Sequence, residues 1–170
     1  MKKYISIFTV LAIVLVIDGC FTLDVNFSGA KVHPDAKTFS VIEFTNRADI
    51  VEPGLALDLT EALRDKVESQ TPLKLTNGYG DLTFEGEIYR YSYESGSLTA
   101  QEVSAQNRFT IGVKIKFTNL LVPEDDFEKN FEQFENFDGT VTLQTAKDDK
   151  TDEMITNLIE EIFKEAFVNW

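Results

Sequence analysis

The stretch RFTIGVKIKFTNLL, residues 108–121, decides the fold because apolar and polar positions alternate in it without a break from Phe109 to Thr118. The apolar positions are Phe109, Ile111, Val113, Ile115 and Phe117, and the positions between them are Thr110, Gly112, Lys114, Lys116 and Thr118. Successive side chains of a strand point to opposite faces of a sheet. The pattern therefore predicts a β-strand with one buried face and one solvent-facing side.

The neighbouring stretches predict further strands. Residues 37–45 are rich in β-forming side chains, and residues 73–76 predict a short strand that ends at the turn sequence NGYG, residues 77–80. Residues 82–93 alternate again, with Leu82, Phe84 and Ile88 facing inward and Glu85, Glu87, Tyr89 and Tyr91 facing outward. Residues 127–137 predict a fifth strand with a bulge. Phe127 and Phe131 fit the two-residue period of one strand face, whereas Phe134 does not.

Two amphipathic helices flank these strands. The first is predicted to open at Pro53-Gly54 and to run to about residue 69, since Leu55, Leu59, Leu63 and Val67 recur every four residues. The second is predicted over about residues 150–168, with a broad apolar stripe that includes Ile155, Ile159 and Ile162. The economical arrangement is an α+β fold, a two-layer sandwich in which two helices pack on one face of a four- to five-stranded mixed sheet.

The N-terminus reads as a targeting segment. Lys2 and Lys3 precede 14 uncharged residues, 4–17, which is shorter than the roughly 20 residues that span a bilayer. The run closes at Gly19-Cys20, which resembles a bacterial lipobox, although Asp18 stands where a small residue is usual. We expect residues 1–19 to be a lipoprotein signal peptide, 20–36 a lipidated tether and 37–170 a single domain. A secreted protein with a free thiol, or an uncleaved anchor, are the alternatives.

Charge limits the partners. The net charge is −13, and it becomes −14 when two lysines and one aspartate leave with residues 1–19. Such an acidic chain is unsuited to nucleic acid, whose phosphates require a basic surface. Attachment to a membrane must therefore come from acyl chains on Cys20 rather than from attraction to anionic lipid. That covalent lipid is the only prosthetic group we expect, and it leaves no thiol for a disulfide because Cys20 is the single cysteine.

Residues suited to catalysis are few. His33, the only histidine, lies in the predicted tether, so a nucleophile would lack a histidine base. Asp148, Asp149 and Asp152 resemble the start of a calcium loop, but the glycine and the terminal glutamate of such a loop are missing. We therefore expect a protein that is not an enzyme.

The predicted outer strand face carries two candidate contact sets. One is a basic set that suits phosphate groups, formed by Lys114 and Lys116 with Arg108 in the same phase. Arg90 joins this set only if its strand twists or ends nearby, because its phase matches Ile88. The alternative is that they balance Glu85 and Glu87 across the sheet. Tyr89 and Tyr91, continued by Tyr93, form an aromatic set typical of an interface. The alternative is cross-strand packing that serves the sheet alone.

The order of short stretches resembles one family. Seven stretches resemble, in order and spacing, the LPS-assembly lipoprotein (LptE) family in its Bacteroidetes form. They are TFSV (38–41), FTNRA (44–48), LTEALRDK (59–66), GDLTFEGEI (80–88), NRFTI (107–111), VKIKFTN (113–119) and IFKEA (162–166). The resemblance implies two helices on a four-stranded sheet. It also implies an LptE-like domain inside the lumen of the LptD-type outer-membrane β-barrel, where it plugs the barrel, aids its assembly and contacts lipopolysaccharide.

The same resemblance places the protein in the cell outer membrane. The residues after Cys20, Phe-Thr-Leu-Asp, lack the acidic run that resembles a surface-export signal, which favours the periplasmic face. A periplasm-facing lipoprotein that serves as a binding module of another envelope machine is the alternative, because small α/β domains of this layout have many partners.

Overall fold

The computed structural model describes residues 29–95 and 106–168. Over these residues the strands are β1 (Thr38–Asn46), β2 (Lys74–Leu75), β3 (Leu82–Ser95), β4 (Gln106–Asn119) and β5 (Phe127–Asp138). The helices are α1 (Leu55–Gln70), between β1 and β2, and α2 (Leu143–Phe167), after β5, and a 3-10 turn covers Pro123–Asp125. No helix in this part of the chain is long and apolar enough to cross a membrane.

The strands form one mixed sheet in the order β2-β1-β3-β4-β5. β1 runs parallel to both β2 and β3, while β3, β4 and β5 form an antiparallel meander. α1 makes the crossover from β1 to β2, and the two-residue β2 leaves one edge of the sheet short. β4 lies between β3 and β5, so the strand with the clearest alternation is an inner strand.

Both helices pack on the same face of the sheet, as the fold prediction requires. The inward residues of β4, Phe109 to Phe117 in alternation, are at most 1% exposed and share one core with α1 and α2. Leu59 and Leu63 of α1, and Ile155, Ile159 and Ile162 of α2, belong to that core. The α+β two-layer sandwich and the inward register of β4 are confirmed.

Two local predictions are wrong. α2 begins at Leu143 rather than near residue 150, because Thr142 caps it: the Thr142 hydroxyl accepts a hydrogen bond from the Thr145 N–H at 3.3 Å. The bulge expected in β5 is absent, since the pairing of β4 with β5 is regular from Gln106 to Phe117. Phe134 leaves the phase of Phe127 and Phe131 because it lies on the opposite face of the sheet.

The chain before β1 runs along the domain. The Lys31 N–H donates to the Phe167 carbonyl at 2.8 Å, and Ala36 is buried in the core. Cys20 and residues 96–105 lie outside the described residues.

Candidate binding face of the sheet

The face of the sheet away from the helices, here called the polar face, is shaped by a bulge in β3. Ile88 pairs with Val113 and Arg90 pairs with Gly112, so Tyr89 is an extra residue without a partner in the ladder. A bulge shifts every following side chain to the opposite side. This explains how Arg90, whose phase matches Ile88, reaches the polar face.

The same shift corrects the prediction for Tyr91. Alternation places Tyr91 on the polar face, but it is only 2% exposed and lies on the core face, with its ring edge-on to Phe109 at 5.2 Å. Burial, together with the neighbouring Glu52 carboxylate, raises the pKa of the Tyr91 hydroxyl. Tyr91 is therefore a core residue and not a contact residue. Tyr93 faces the same way, and its hydroxyl bonds the Val141 carbonyl ahead of α2.

Tyr89 remains on the polar face and lies flat across β4. A Cβ atom built on Gly112 would be 2.8 Å from the Cζ atom of Tyr89, so only glycine at 112 lets the ring approach this closely. The Tyr89 hydroxyl donates to Glu132 on β5 at 3.0 Å. The ring thus crosses the middle strand and joins β3 to β5, which leaves it a half-exposed aromatic surface in the centre of the polar face.

The two lysines are each paired with a carboxylate. The Lys116 ammonium lies 2.8 Å from the Glu85 carboxylate, directly across the β3–β4 ladder, and Lys114 pairs with Glu128 of β5. Hydrogen bonds and attraction from these partners raise the pKa of both lysines and lower that of Glu128. The lysines are charged, and each charge is balanced by a carboxylate. The structure thus shows the second of the two interpretations given above, charge balance across the sheet.

Two arginines extend this pattern. Arg90 lies 3.4 Å from Glu132, and Arg47, just after β1, lies 3.2 Å from Glu87. Across the described part of the polar face, four basic side chains thus meet four acidic ones, and the face is polar with a nearly balanced charge. A shallow groove of about 250 Å³ is lined by three of these cations and three of these carboxylates, namely Lys114, Lys116, Arg47, Glu85, Glu87 and Glu128.

Arg108 differs from the other basic residues because its partner is aromatic. Its guanidinium lies over the Phe134 ring, 4.4 Å from the centroid, and its Nε donates to the Asn136 side chain at 3.0 Å. Phe134 is 48% exposed on a face that is otherwise polar. Sequence reasoning missed Phe134 as a contact residue, although its break of phase was the signal that marked it.

Thr110 lies on the polar face by register but is covered. It pairs with Ser92 on one side and Phe134 on the other, and it is 3% exposed. The sequence therefore predicts the correct face for Thr110, but the prediction that its side chain is exposed to solvent is wrong. The middle of β4 is packed on both sides, which gives the polar face a firm floor around Tyr89 and Phe134.

The acidic pair Asp125/Asp126 has a structural use. Asp126 accepts a hydrogen bond from the Asn119 N–H at 2.6 Å, and Asp125 accepts one from the Asn119 side chain at 3.2 Å. These bonds fasten the turn between β4 and β5. Burial and the charge of Glu124 raise the pKa of Asp125, but the pair serves turn geometry rather than proton transfer.

One solved structure among those compared supports the fold, and two others are reported beside it. The hypothetical protein CT253 from Chlamydia trachomatis matches with a TM-score of 0.52 at 7% identity, covering 79% of this chain and 99% of that one. A minor lipoprotein from Acinetobacter baumannii matches with a TM-score of 0.48 at 12% identity, covering 76% of this chain and 91% of that one. The rare lipoprotein B from Shewanella oneidensis matches with a TM-score of 0.40 at 11% identity, covering 75% and 89%.

Sequence comparison identifies the family. A search of curated proteins gave no significant match. The family model described as LptE, lipopolysaccharide-assembly, matches residues 36–165, which include every strand and almost all of α2. The chain therefore belongs to the LptE lipopolysaccharide-assembly family.

Proposed function

We propose that this protein is an outer-membrane lipoprotein subunit of the lipopolysaccharide translocon, acylated at Cys20, which plugs an LptD-type barrel and contacts lipopolysaccharide. The observation that carries the proposal is the family match over residues 36–165. Its role is non-enzymatic: it occupies the lumen, helps the barrel assemble and guides the lipid. The N-terminal residues support the location, since Gly19-Cys20 resembles a lipoprotein processing site.

The charge balance of the polar face suits a position inside a barrel. The interior of an outer-membrane barrel is polar, so a plug must present polar groups to it. An unpaired charge pressed against such a wall would lose its water without compensation. On this face each cation of the Lys116–Glu85, Arg47–Glu87 and Arg90–Glu132 pairs already has an anion beside it. These three pairs can therefore dock without stranding a charge.

Lipopolysaccharide contact follows from the same pairs. Lys114 and Lys116 lie two residues apart on one strand face, and charge-assisted bonds from ammonium groups to phosphate are strong. A phosphate that binds them competes with Glu128 and Glu85 for the same ammonium groups. Binding therefore depends on a competition between two anions for each lysine, and removing either partner shifts its outcome.

The first experiment identifies the partner. The acylated protein is extracted from membranes through an affinity tag, and the proteins that accompany it are identified by mass spectrometry. We expect an LptD-type barrel in stoichiometric amount. Recovery of a different envelope complex without such a barrel would contradict the plug role and favour a binding module of another machine.

The second experiment tests the lysines through opposite variants. Lys114→Gln with Lys116→Gln should weaken lipopolysaccharide binding and reduce its dependence on salt. Glu85→Gln with Glu128→Gln keeps the lysines and removes the carboxylates that compete for them. It should therefore tighten lipopolysaccharide binding by about the factor by which the lysine variant weakens it. Both double variants replace charge with an amide of similar shape, and each serves as the other's control. If both bind like the wild type, the lysines do not contact lipid phosphates.

A further inference from the structure

One end of the domain carries a cluster of exposed apolar side chains. Leu120 is 64% exposed and Leu121 39% exposed in the turn after β4, while Tyr79 before β3 is 74% exposed and Val168 after α2 is 38% exposed. We call these four residues the apolar tip. Single exposed apolar residues are common. Adjacent exposed leucines at a turn, with an exposed tyrosine at the same end, are typical of a surface that contacts a membrane or another protein.

A hydrogen bond and a cavity lined by neighbouring residues place the segments that carry these four residues at the same end of the domain. The Leu120 N–H donates to the Asp81 carbonyl at 2.9 Å, which brings the turn beside the loop that holds Tyr79. An apolar cavity of about 210 Å³ is lined by Val122 from the turn and by Phe167, the residue before Val168. The tip is therefore one end of the sandwich, made from three separate segments.

The chain from Cys20 enters the domain at this same end. Val32 and His33 line the cavity beside Val122 and Phe167, and the Lys31 N–H bonds the Phe167 carbonyl. Gly29 follows Cys20 by nine positions, and a fully extended chain of that length reaches about 30 Å at most. An acylated Cys20 would therefore hold the apolar tip within that distance of the leaflet that contains its acyl chains.

We propose that the apolar tip rests in the interface of that leaflet, as a second membrane contact beside the lipid anchor. The inference rests on the proposed acylation of Cys20 but not on the barrel. Leucine side chains bury in the acyl boundary, and the tyrosine ring places its apolar body there with its hydroxyl at the headgroups. Before it meets a barrel, the protein then stands on the membrane with β1 to β5 rising from it, and Ile50 and Val51 lie at the far end.

Ile50 and Val51 supply the matched control. They are 46% and 64% exposed, and they follow the far end of β1, whose other end lies beside the tip. Nine residues of strand separate the two ends by about 25 Å. Because acylation consumes Cys20, which is the only cysteine, a new cysteine at either end can be labelled alone.

The test places a polarity-sensitive fluorophore on Leu120→Cys or on Ile50→Cys in the acylated protein. Each variant is reconstituted in vesicles of phosphatidylethanolamine with a minor share of phosphatidylglycerol. We expect the label at 120 to shift to the blue and to be quenched by spin-labelled lipids, and the label at 50 to report water. Equal, water-like signals from both sites, or quenching only at 50, would overturn the proposal.

A second measurement does not require acylation. In the mature chain with Cys20→Ser, Leu120→Ser with Leu121→Ser should lower partition into the same vesicles about tenfold or more, since each buried leucine contributes about that factor. Ile50→Ser with Val51→Ser should leave partition unchanged. Equal loss in both, or in neither, would refute the membrane contact. Palmitate labelling of Cys20 and recovery of the barrel are scored separately, so their failure is distinguishable from failure of the tip.

Discussion

Gly86 shows how one missing side chain shapes the core beneath the polar face. Phe44 of β1 lies over it, and a Cβ atom at position 86 would be 2.5 Å from the Phe44 ring. Phe44 itself is buried, so the ring has little freedom to move aside. Glycine in a strand normally weakens it, but here it gives room to an aromatic side chain from the neighbouring strand.

Gly86→Ala should therefore lower the free energy of unfolding by about 1–3 kcal/mol, the usual cost of overpacking a core. Urea unfolding followed by circular dichroism measures it. Combining Gly86→Ala with Phe44→Leu should cost less than the two single changes added together, because the smaller side chain at 44 leaves space for the new methyl group. Additive costs would mean that the Phe44 ring is not what excludes the methyl group.

Asp81 predicts a dependence of stability on pH. Its Oδ2 accepts hydrogen bonds from the Lys37 N–H, the Thr38 N–H and the Thr38 hydroxyl, all at 2.9 Å, and these donors hold the pKa of Asp81 below its usual value. A carboxylate with a lowered folded-state pKa stabilises the fold at neutral pH. That stabilisation disappears as the pH falls through the folded-state pKa.

Asp81→Asn should thus be less stable than the wild type at neutral pH. The difference should shrink below about pH 4, where the unfolded carboxyl takes up its proton before the folded one does. Urea unfolding of both proteins over a series of pH values gives the two curves. A difference that stays constant through the acid range would show that the charge of Asp81 contributes nothing to the fold.

Among the strands, two breaks of alternation have different outcomes. In β3 the apolar phase of Leu82, Phe84 and Ile88 changes to that of Tyr91, and a bulge absorbs the change. In β5 the phase of Phe127 and Phe131 is broken by Phe134, and the ladder stays regular. A sequence records that the phase breaks. Whether a residue is inserted or an aromatic side chain is exposed depends on the partner strand.

This difference explains how far the sequence predicts the candidate site. The strands, the helices and the face that holds Lys114 and Lys116 follow from periodicity, because burial of one face fixes the register. The pairing of Lys114 with Glu128 does not, since it joins strands whose relative offset only the structure defines. Alternation alone places Tyr91 on the wrong face, because the bulge at Tyr89 is visible only in the pairing of β3 with β4. It also misses Phe134 as a contact residue, because an exposed aromatic residue on an edge strand resembles a buried one in sequence.

The early start of α2 gives a prediction at the level of a helix. Thr142 caps the helix, and the two turns that follow it are held by Ala146 in the core and by Lys147, which pairs with Glu52 at 2.5 Å. Thr142→Ala should lower the free energy of unfolding by about 1 kcal/mol through loss of the cap.

Hydrogen exchange should show where that loss acts, with faster exchange of the amides near Thr145 and unchanged exchange near Ile162. Thr156→Ala is a suitable control, because the Thr156 hydroxyl bonds only to the Asp152 carbonyl within the helix at 2.8 Å. Equal effects of the two changes would mean that the first turns of α2 do not depend on the cap.

Over the whole molecule, three surfaces have different chemistry. The helices cover one face of the sheet, and the polar face carries paired charges with Tyr89 at its centre and Phe134 on the edge strand β5. The apolar tip lies at the end where the N-terminal segment enters. The tip contact belongs to the subunit before it enters a barrel, while inside a lumen the polar face would lie along the wall.

The last prediction concerns contact with that wall. Tyr89 and Phe134 are the half-exposed aromatic side chains on the polar face of the described residues, and aromatic anchors inside a polar surround typically contribute most to an interface. Tyr89→Ser with Phe134→Ser should reduce recovery of the barrel at least tenfold, while lipopolysaccharide binding by the free subunit, which depends on the lysines, changes little. Tyr91→Phe is the matched control: Tyr91 is buried, and the change removes only a hydroxyl that bonds Glu52 at 3.4 Å. Undiminished recovery of the barrel with the double variant, at wild-type stability, would show that the barrel grips another surface of the subunit.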